Sequence, residues 1–315
     1  MKKTLVILTV LLASIFVLPA MLPLSVSQAV VKEGMLLEAE LYGLQPYKVD
    51  IGDMQMTYYA NLPDNHSQRP TLLLLHGYSA DKNVWPRFAK HFFDKYYVLI
   101  PDMAGHGETG FNPDWSYRTP VQAERLQRFL TALNVQKAHL VGNSMGGLIS
   151  AQFALHYPLQ TLSVTLFNPS GVVAPEPSVM DNMLQNGRNP FEVNNRQEFD
   201  EFFAMTMAEP PWIPDFMLAA VAEKYRERKL ELRHIFAQIH HQDLLEDKLN
   251  QIAPPMLLLW GEQDQIIDVS SVEVWKNGVP NIETHVWQNI GHMPMLEIPA
   301  ESAKLVRNFI EKQSL

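Results

Sequence analysis

Five short apolar runs, each closing on a turn signal, constrain this chain most. They are "TLLLLHG" (71–77), "YYVLIPD" (96–102), "AHLVGN" (138–143), "LSVTLFNPSG" (162–171) and "PMLLLWGEQD" (255–264). Four of them lack the apolar–polar alternation of a strand with one wet face, and the fourth in chain order, "LSVTLF", sets only small Ser163 and Thr165 between its apolar residues. A run apolar on both faces needs a layer packed on each side, which is the environment of a parallel sheet. Helix-like segments fall between the runs. "TPVQAERLQRFLTAL" carries an apolar stripe of Val121, Leu126, Phe129 and Leu130, with Thr119 as N-cap and Pro120 at the first helical position. "NVWPRFAKHFF" has helical spacing, and "ESAKLVRNFIEK" closes the chain as an amphipathic helix. "YKVDIG" and "MQMTYYA" read as an opening strand pair and "THVWQNIGH" as a last strand. The expected fold is α/β: a mainly parallel central sheet flanked by helices.

The alternation stops between residues 174 and 248. "FDEFFAMTMAEPPWIPDFMLAAVAEKYRERKLELRHIFAQI" reads as helices broken at Pro210, Pro211 and Pro214. The expectation is a core made of residues 45–173 and 249–315, with 174–248 inserted as a helical cap or lid. Aromatic and methionine residues crowd that insertion, and Trp212 and Phe216 are the candidates for lining an apolar substrate pocket there. His240-His241 reads as solvated cap surface, because adjacent residues on a helix point apart.

Composition narrows the partners. Of 315 residues, 47% are hydrophobic and 19% charged, enough for a sizeable core. The net charge is −9 and no Lys/Arg run follows the first three residues, which argues against nucleic acid. There is no cysteine, so disulfides and thiolate metal sites are excluded. The first 29 residues carry Lys2 and Lys3, an apolar run from Leu5 to Leu18, and a small-x-small site at Ser27-Gln28-Ala29. Two readings stand: a cleaved signal peptide, or an uncleaved membrane anchor over Thr4 to Val26. Either exports the chain or tethers it.

Chemistry enters at "GNSMGG". Ser144 lies between Gly142 and Gly146 where a strand-like run meets a helix-like one. A nucleophile on so tight a turn has a strained backbone, and Cβ atoms two residues to either side would collide. The turn also aims a helix N-terminus at a site where negative charge develops. A serine hydroxyl needs a base, and the base needs a carboxylate to orient it. Among the 11 histidines, His292 alone follows the last predicted strand. Asp264 follows the strand "MLLLW", with Glu262 and Asp268 as competitors. Ser144, Asp264 and His292 occur in the chain order Ser…Asp…His. Two backbone donors complete such a site: Met145, next to the nucleophile, and Tyr78, in the loop after "LLLLHG". His76 is expected to support that loop by hydrogen bonding rather than to act as a base.

With "LLHGYSADKNVW", "PDMAGHGET", "GNSMGG", "LLLWGEQDQIID" and "IGHMPMLEIPAE" in this order, residues 45–315 resemble the α/β-hydrolase superfamily. "NPSG" and "NPFEVNNRQEFDEFFAMTMAEPPWIP" add a likeness to bacterial lipases of the Moraxella/Psychrobacter type and to ABHD6-like monoacylglycerol lipases. The resemblance implies hydrolysis of carboxylic esters of lipids or small molecules without a cofactor. It gives the catalytic roles to Ser144, Asp264 and His292 and the oxyanion-hole roles to Tyr78 and Met145. C–C bond hydrolases and perhydrolases share this triad and remain the alternative. Some secreted relatives carry a lipoprotein cysteine near the signal, which this chain lacks.

Overall fold

In a computed structural model, residues 24–62 and 68–313 are described. The expected anchor or signal sequence lies largely outside them. Eight strands form one sheet: β1 (Gln45–Asp50), β2 (Gln55–Ala60), β3 (Thr71–Leu75), β4 (Tyr97–Pro101), β5 (Ala138–Asn143), β6 (Thr161–Phe167), β7 (Met256–Gly261) and β8 (Glu283–Trp287). Their spatial order is β1-β2-β4-β3-β5-β6-β7-β8. The opening pair is antiparallel, β2 meets β4 antiparallel, and every later pairing is parallel. The five apolar runs are five of the six parallel strands. β3, β4, β5 and β7 are buried along their whole length.

Helices cover both faces. Leu73, Leu140, Leu166 and Leu258 belong to one apolar cluster, and their neighbours Leu72, Val141, Phe167 and Leu257 to a second. The period-two split of each strand thus feeds two cores. α1 (Leu24–Leu41) precedes the sheet, α2 (Thr119–Ala132) and α3 (Met145–His156) follow β4 and β5, and α9 (Pro299–Lys312) closes the chain. The α9 residues Val306, Phe309 and Ile310 are buried at helical spacing, as the sequence pattern requires.

Two local expectations change. "NVWPRFAKHFF" forms only a four-residue helix (Pro86–Ala89) flanked by 3₁₀ turns. Thr119 does not cap α2; it is the first helical residue, and its buried hydroxyl finds no partner among the described residues.

Between β6 and β7 the chain leaves the sheet for four helices, α4 (Val179–Gln185), α5 (Arg196–Thr206), α6 (Asp215–Glu227) and α7 (Lys229–Ile239). Ser178 and Asp181 form a reciprocal capping box at the start of α4. The prolines act as expected: α5 stops at Thr206, and Pro214 is the N-cap of α6. Between β7 and β8 lies α8 (Ser271–Gly278).

The helix α1 packs against α6, with Gln28 Nε2 donating to Glu227 Oε2 at 3.4 Å. Lys32 pairs with Glu108 at 2.8 Å, and Arg87 with Glu38 at 2.6 Å. Ser27 is buried within this helix. Val26, Val30, Leu37 and Leu41 are exposed and, at helical spacing, form one apolar stripe along it. Among the described residues no helix is long and apolar enough to cross a membrane.

A buried ionic cluster fixes the loops that leave β3 and β4. Lys82, 2% exposed, places Nζ 2.7 Å from Asp102 Oδ2 and 3.0 Å from Glu108 Oε2. Asp102 also accepts from the backbone N–H groups of Lys82 and Glu108. Burial opposes the Lys82 ammonium, yet the two carboxylates hold its pKa above the usual range.

Candidate active site

β3 is flanked by β4 on one side and β5 on the other, so the chain direction across the sheet reverses there. Crevices form at the C-terminal strand ends at such a switch point. The loops after β3 and β5 line it, one carrying Tyr78 and the other Ser144.

Ser144 sits between β5 and α3 with φ 55° and ψ −118°, a strained conformation for a residue bearing a side chain. Three backbone bonds hold it: its N–H donates to Phe167 O at 3.0 Å, and its carbonyl accepts from Leu148 and Ser170. The flanking glycines are required by crowding. A Cβ on Gly142 would lie 2.1 Å from the Gly146 carbonyl oxygen, and one on Gly146 would lie 2.3 Å from that of Leu75. The glycine positions read from sequence are therefore close contacts between α3, β5 and the end of β3.

Asp264 and His292 meet although 28 residues separate them. Asp264 follows β7, His292 follows β8, and parallel pairing of Gly261 with Trp287 brings both loops to the same sheet end. His292 Nδ1 donates to Asp264 Oδ2 at 2.7 Å. The other oxygen of Asp264 accepts from the N–H groups of Ile266 (2.8 Å) and Ile267 (3.0 Å), and Asn168 Nδ2 donates to Oδ2 at 2.7 Å. The buried carboxylate is thus satisfied at both oxygens. Glu262 and Asp268, the competitors, make no hydrogen bond to His292.

Sequence reasoning missed two asparagines that end strands. Asn143 Nδ2 donates to the His292 carbonyl at 2.9 Å, tying the histidine loop to the residue before Ser144. Asn168, in left-handed backbone at φ 44°, turns its amide onto Asp264. Each is a polar residue closing an apolar strand, and that was the available signal. Glu297 braces the same loop from outside: it accepts from Gly291 N–H at 2.9 Å and from the N–H groups of Ala208 and Glu209 beyond α5. Burial raises the pKa of its carboxyl.

Ser144 Oγ makes no hydrogen bond among the described residues. Nucleophile–base contacts in such sites are often loose until substrate binds.

Tyr78 and Met145 share the Ser144 cavity. Neither backbone N–H donates to another described residue, as expected for Met145 at a helix start. The Tyr78 hydroxyl donates to Leu232 O of α7 at 2.7 Å. His76 supports this loop: its Nε2 accepts from Met103 N–H at 3.0 Å, which leaves Nδ1–H to donate to Gly77 O at 2.8 Å. Burial lowers its pKa.

The cavity differs from its sequence forecast. Its apolar wall comprises Leu148, Met180, Phe191, Phe236, Ile239 and Ile266, among others. Trp212 and Phe216, the forecast lining, are not part of it. Trp212 lies on the proline-held coil between α5 and α6, which cannot fold back as helix, and it is 74% exposed. Phe202, Met205 and Met207 are buried elsewhere as core. His240 is half-buried against the solvated-surface expectation, while His241 is exposed as expected. The helix α7 ends at Ile239, so helical divergence no longer governs the pair. Both residues line the cavity, with His241 at φ 49°.

Residues 70–299 match the family described as alpha/beta hydrolase fold. Lipase 3 of Moraxella sp. (strain TA144) is 31% identical over 81% of this chain and 81% of its own. Monoacylglycerol lipase abhd6-B of Xenopus laevis is 29% identical over 85% of this chain and 82% of its own. The crystal structure of a membrane phospholipase A, described as a bacterial virulence factor, is 32% identical. It covers 100% of this chain and 99% of its own, with a TM-score of 0.87.

Proposed function

The chain belongs to the alpha/beta hydrolase family and is a carboxylic ester hydrolase of the serine type; on that premise we propose that it cleaves acylglycerols or simpler lipid esters through an acyl-enzyme on Ser144. The observation that carries this is the buried Asp264–His292 pair, tied by Asn143 to the strained turn that presents Ser144.

In this reading Ser144 Oγ attacks the ester carbonyl while His292 Nε2 takes its proton. Asp264 keeps the Nδ1–H tautomer and stabilises the imidazolium that forms. The N–H groups of Tyr78 and Met145 receive the developing oxyanion. His292 returns the proton to the leaving alcohol, and water then repeats the sequence on the acyl-enzyme. The lipase and monoacylglycerol lipase relatives favour ester cleavage over C–C bond hydrolysis.

Residues 174–248 act as the lid, and the apolar wall beneath them takes the acyl chain. Each buried methylene is worth about 0.8 kcal/mol, or about four-fold in kcat/KM. Medium-chain p-nitrophenyl esters are therefore expected to exceed the acetyl ester, and Met180→Ala and Ile239→Ala to flatten that rise. A profile that is level in the wild type, or equally steep in both variants, rejects the apolar wall as acyl site.

The enzyme works tethered at a membrane surface by an uncleaved N-terminal segment. Support comes from Ser27, buried where the alternative cleavage would fall, and from the exposed stripe Val26, Val30, Leu37 and Leu41. The phospholipase neighbour is itself described as a membrane protein. Fractionation of cells expressing the full chain should recover it in the membrane fraction with Met1 at its start. A soluble product beginning at Val30 rejects tethering in favour of cleavage.

A further inference from the structure

The cavity that holds Ser144 is apolar along most of its wall, but one end carries His240, His241, Gln242 and Asp181. The ring of His240 stacks on Phe236, with centroids 4.6 Å apart and planes 15° apart. The ring of His241 stacks on His240 at 4.1 Å and 19°. The stack covers both faces of His240 and one face of His241, and the ring edges, which carry the nitrogens, lie outside it. Neither imidazole makes a hydrogen bond to another described residue. An imidazole in its neutral form offers one donor and one acceptor to whatever occupies the cavity.

The backbone at this end is held in a costly conformation. His241 and Asp243 have φ 49° and 57°, a region that residues with side chains avoid. Arg118 Nε binds Asp243 Oδ2 at 2.8 Å, and Gln152 Nε2 from α3 binds the Asp243 carbonyl at 3.0 Å. The segment is thus anchored to the core behind Ser144 rather than left to fray after α7.

We propose that His240 and His241 form the alcohol-recognising end of the Ser144 cavity, hydrogen-bonding the free hydroxyls of a neutral polyol ester such as a glycerol monoester. The proposal rests on the ester-hydrolase reading of Ser144. A polyol matches the pair because hydroxyls, like neutral imidazoles, both donate and accept. An anionic phosphoester head does not. Burial and the neighbouring His241 lower the His240 pKa to about 4, so the ring is neutral at pH 7. The Asp181 carboxylate in the same cavity repels a phosphate.

His240→Phe and His241→Phe keep a ring in the stack and remove its nitrogens. The test measures kcat/KM for three esters with the same acyl chain: monooctanoylglycerol, methyl octanoate and octanoyl lysophosphatidylcholine. Thermal unfolding of each variant establishes that it is folded. In each variant the preference for the glycerol ester over the methyl ester is expected to fall about ten-fold, the loss of one or two hydrogen bonds. An unchanged preference overturns the assignment. So does a larger loss on the lysophospholipid than on the glycerol ester, which would make a phosphoester head the partner. Wild-type protein that cleaves none of the three esters overturns the ester-hydrolase reading, and this assignment with it. Ester cleavage with a preference unchanged in both variants overturns the histidine assignment alone.

Discussion

Ser144→Ala is expected to lower kcat for ester hydrolysis by about a million-fold, the scale of loss when such a nucleophile is removed. The fold should not suffer. Ser144 is held by backbone bonds that alanine retains, and its hydroxyl has no hydrogen-bond partner among the described residues to lose. Alanine also carries a Cβ, so the strain of φ 55° is unchanged. Two measurements check this together: turnover of a p-nitrophenyl ester, and covalent labelling by a fluorophosphonate probe. The variant should lose both while keeping the wild-type unfolding temperature. Turnover within ten-fold of wild type, or labelling that persists, would place the nucleophile elsewhere.

The second large effect is expected at Asp264→Asn, with kcat down about ten-thousand-fold and KM little changed. The surroundings determine which way the new amide points. Two backbone donors, Ile266 and Ile267, face one oxygen of Asp264, and a carboxamide must keep its oxygen toward them. Its NH₂ then faces His292 and Asn168. Asn168 can adapt by turning over its own amide, because its Oδ1 is buried without a partner and can become the acceptor. His292 cannot adapt without harm. Its Nδ1 must accept, the ring proton moves to Nε2, and the nitrogen meant to take the serine proton is already occupied. Thermal unfolding separates this outcome from misfolding, since a folded variant keeps the wild-type transition while its rate falls. A per-site kcat within ten-fold of wild type would show that Asp264 does not set the tautomer.

Much of this site was legible before any coordinates. The strands were visible because a strand buried on both faces is apolar at both parities, with polar residues such as His139, Ser163 and Thr165 few and buried. All five of the apolar runs are strands, and the antiparallel opening pair is where its pattern placed it. The Ser144 turn was visible for a local reason as well. Close approach of α3 to β3 and β5 leaves no room for a Cβ at Gly142 or Gly146, so the geometry writes itself into adjacent residues. The pairing of Asp264 with His292 followed from order along the chain, since parallel strands deliver their following loops to one end of the sheet.

What the sequence left open depended on contacts between distant segments. Nothing local tells that Asn143 reaches the carbonyl of His292, 149 residues away, or that Asn168 reaches Asp264 across 96. Trp212 and Phe216 looked like pocket residues because they are large and apolar. Membership of a cavity is instead decided by where the proline-broken coil and the helices α4 and α7 come to rest. His240 and His241 looked like diverging neighbours on a helix, but the helix ended one residue earlier, left-handed backbone at His241 laid one ring on the other, and His240 became half-buried while His241 stayed exposed. The sequence by itself determined the sheet, the serine turn and the order of Ser144, Asp264 and His292 along the chain, because burial and crowding act among near neighbours. Only the tertiary structure decided which side chains line the cavity and how its polar end is built, because those depend on packing between segments the chain brings together from far apart.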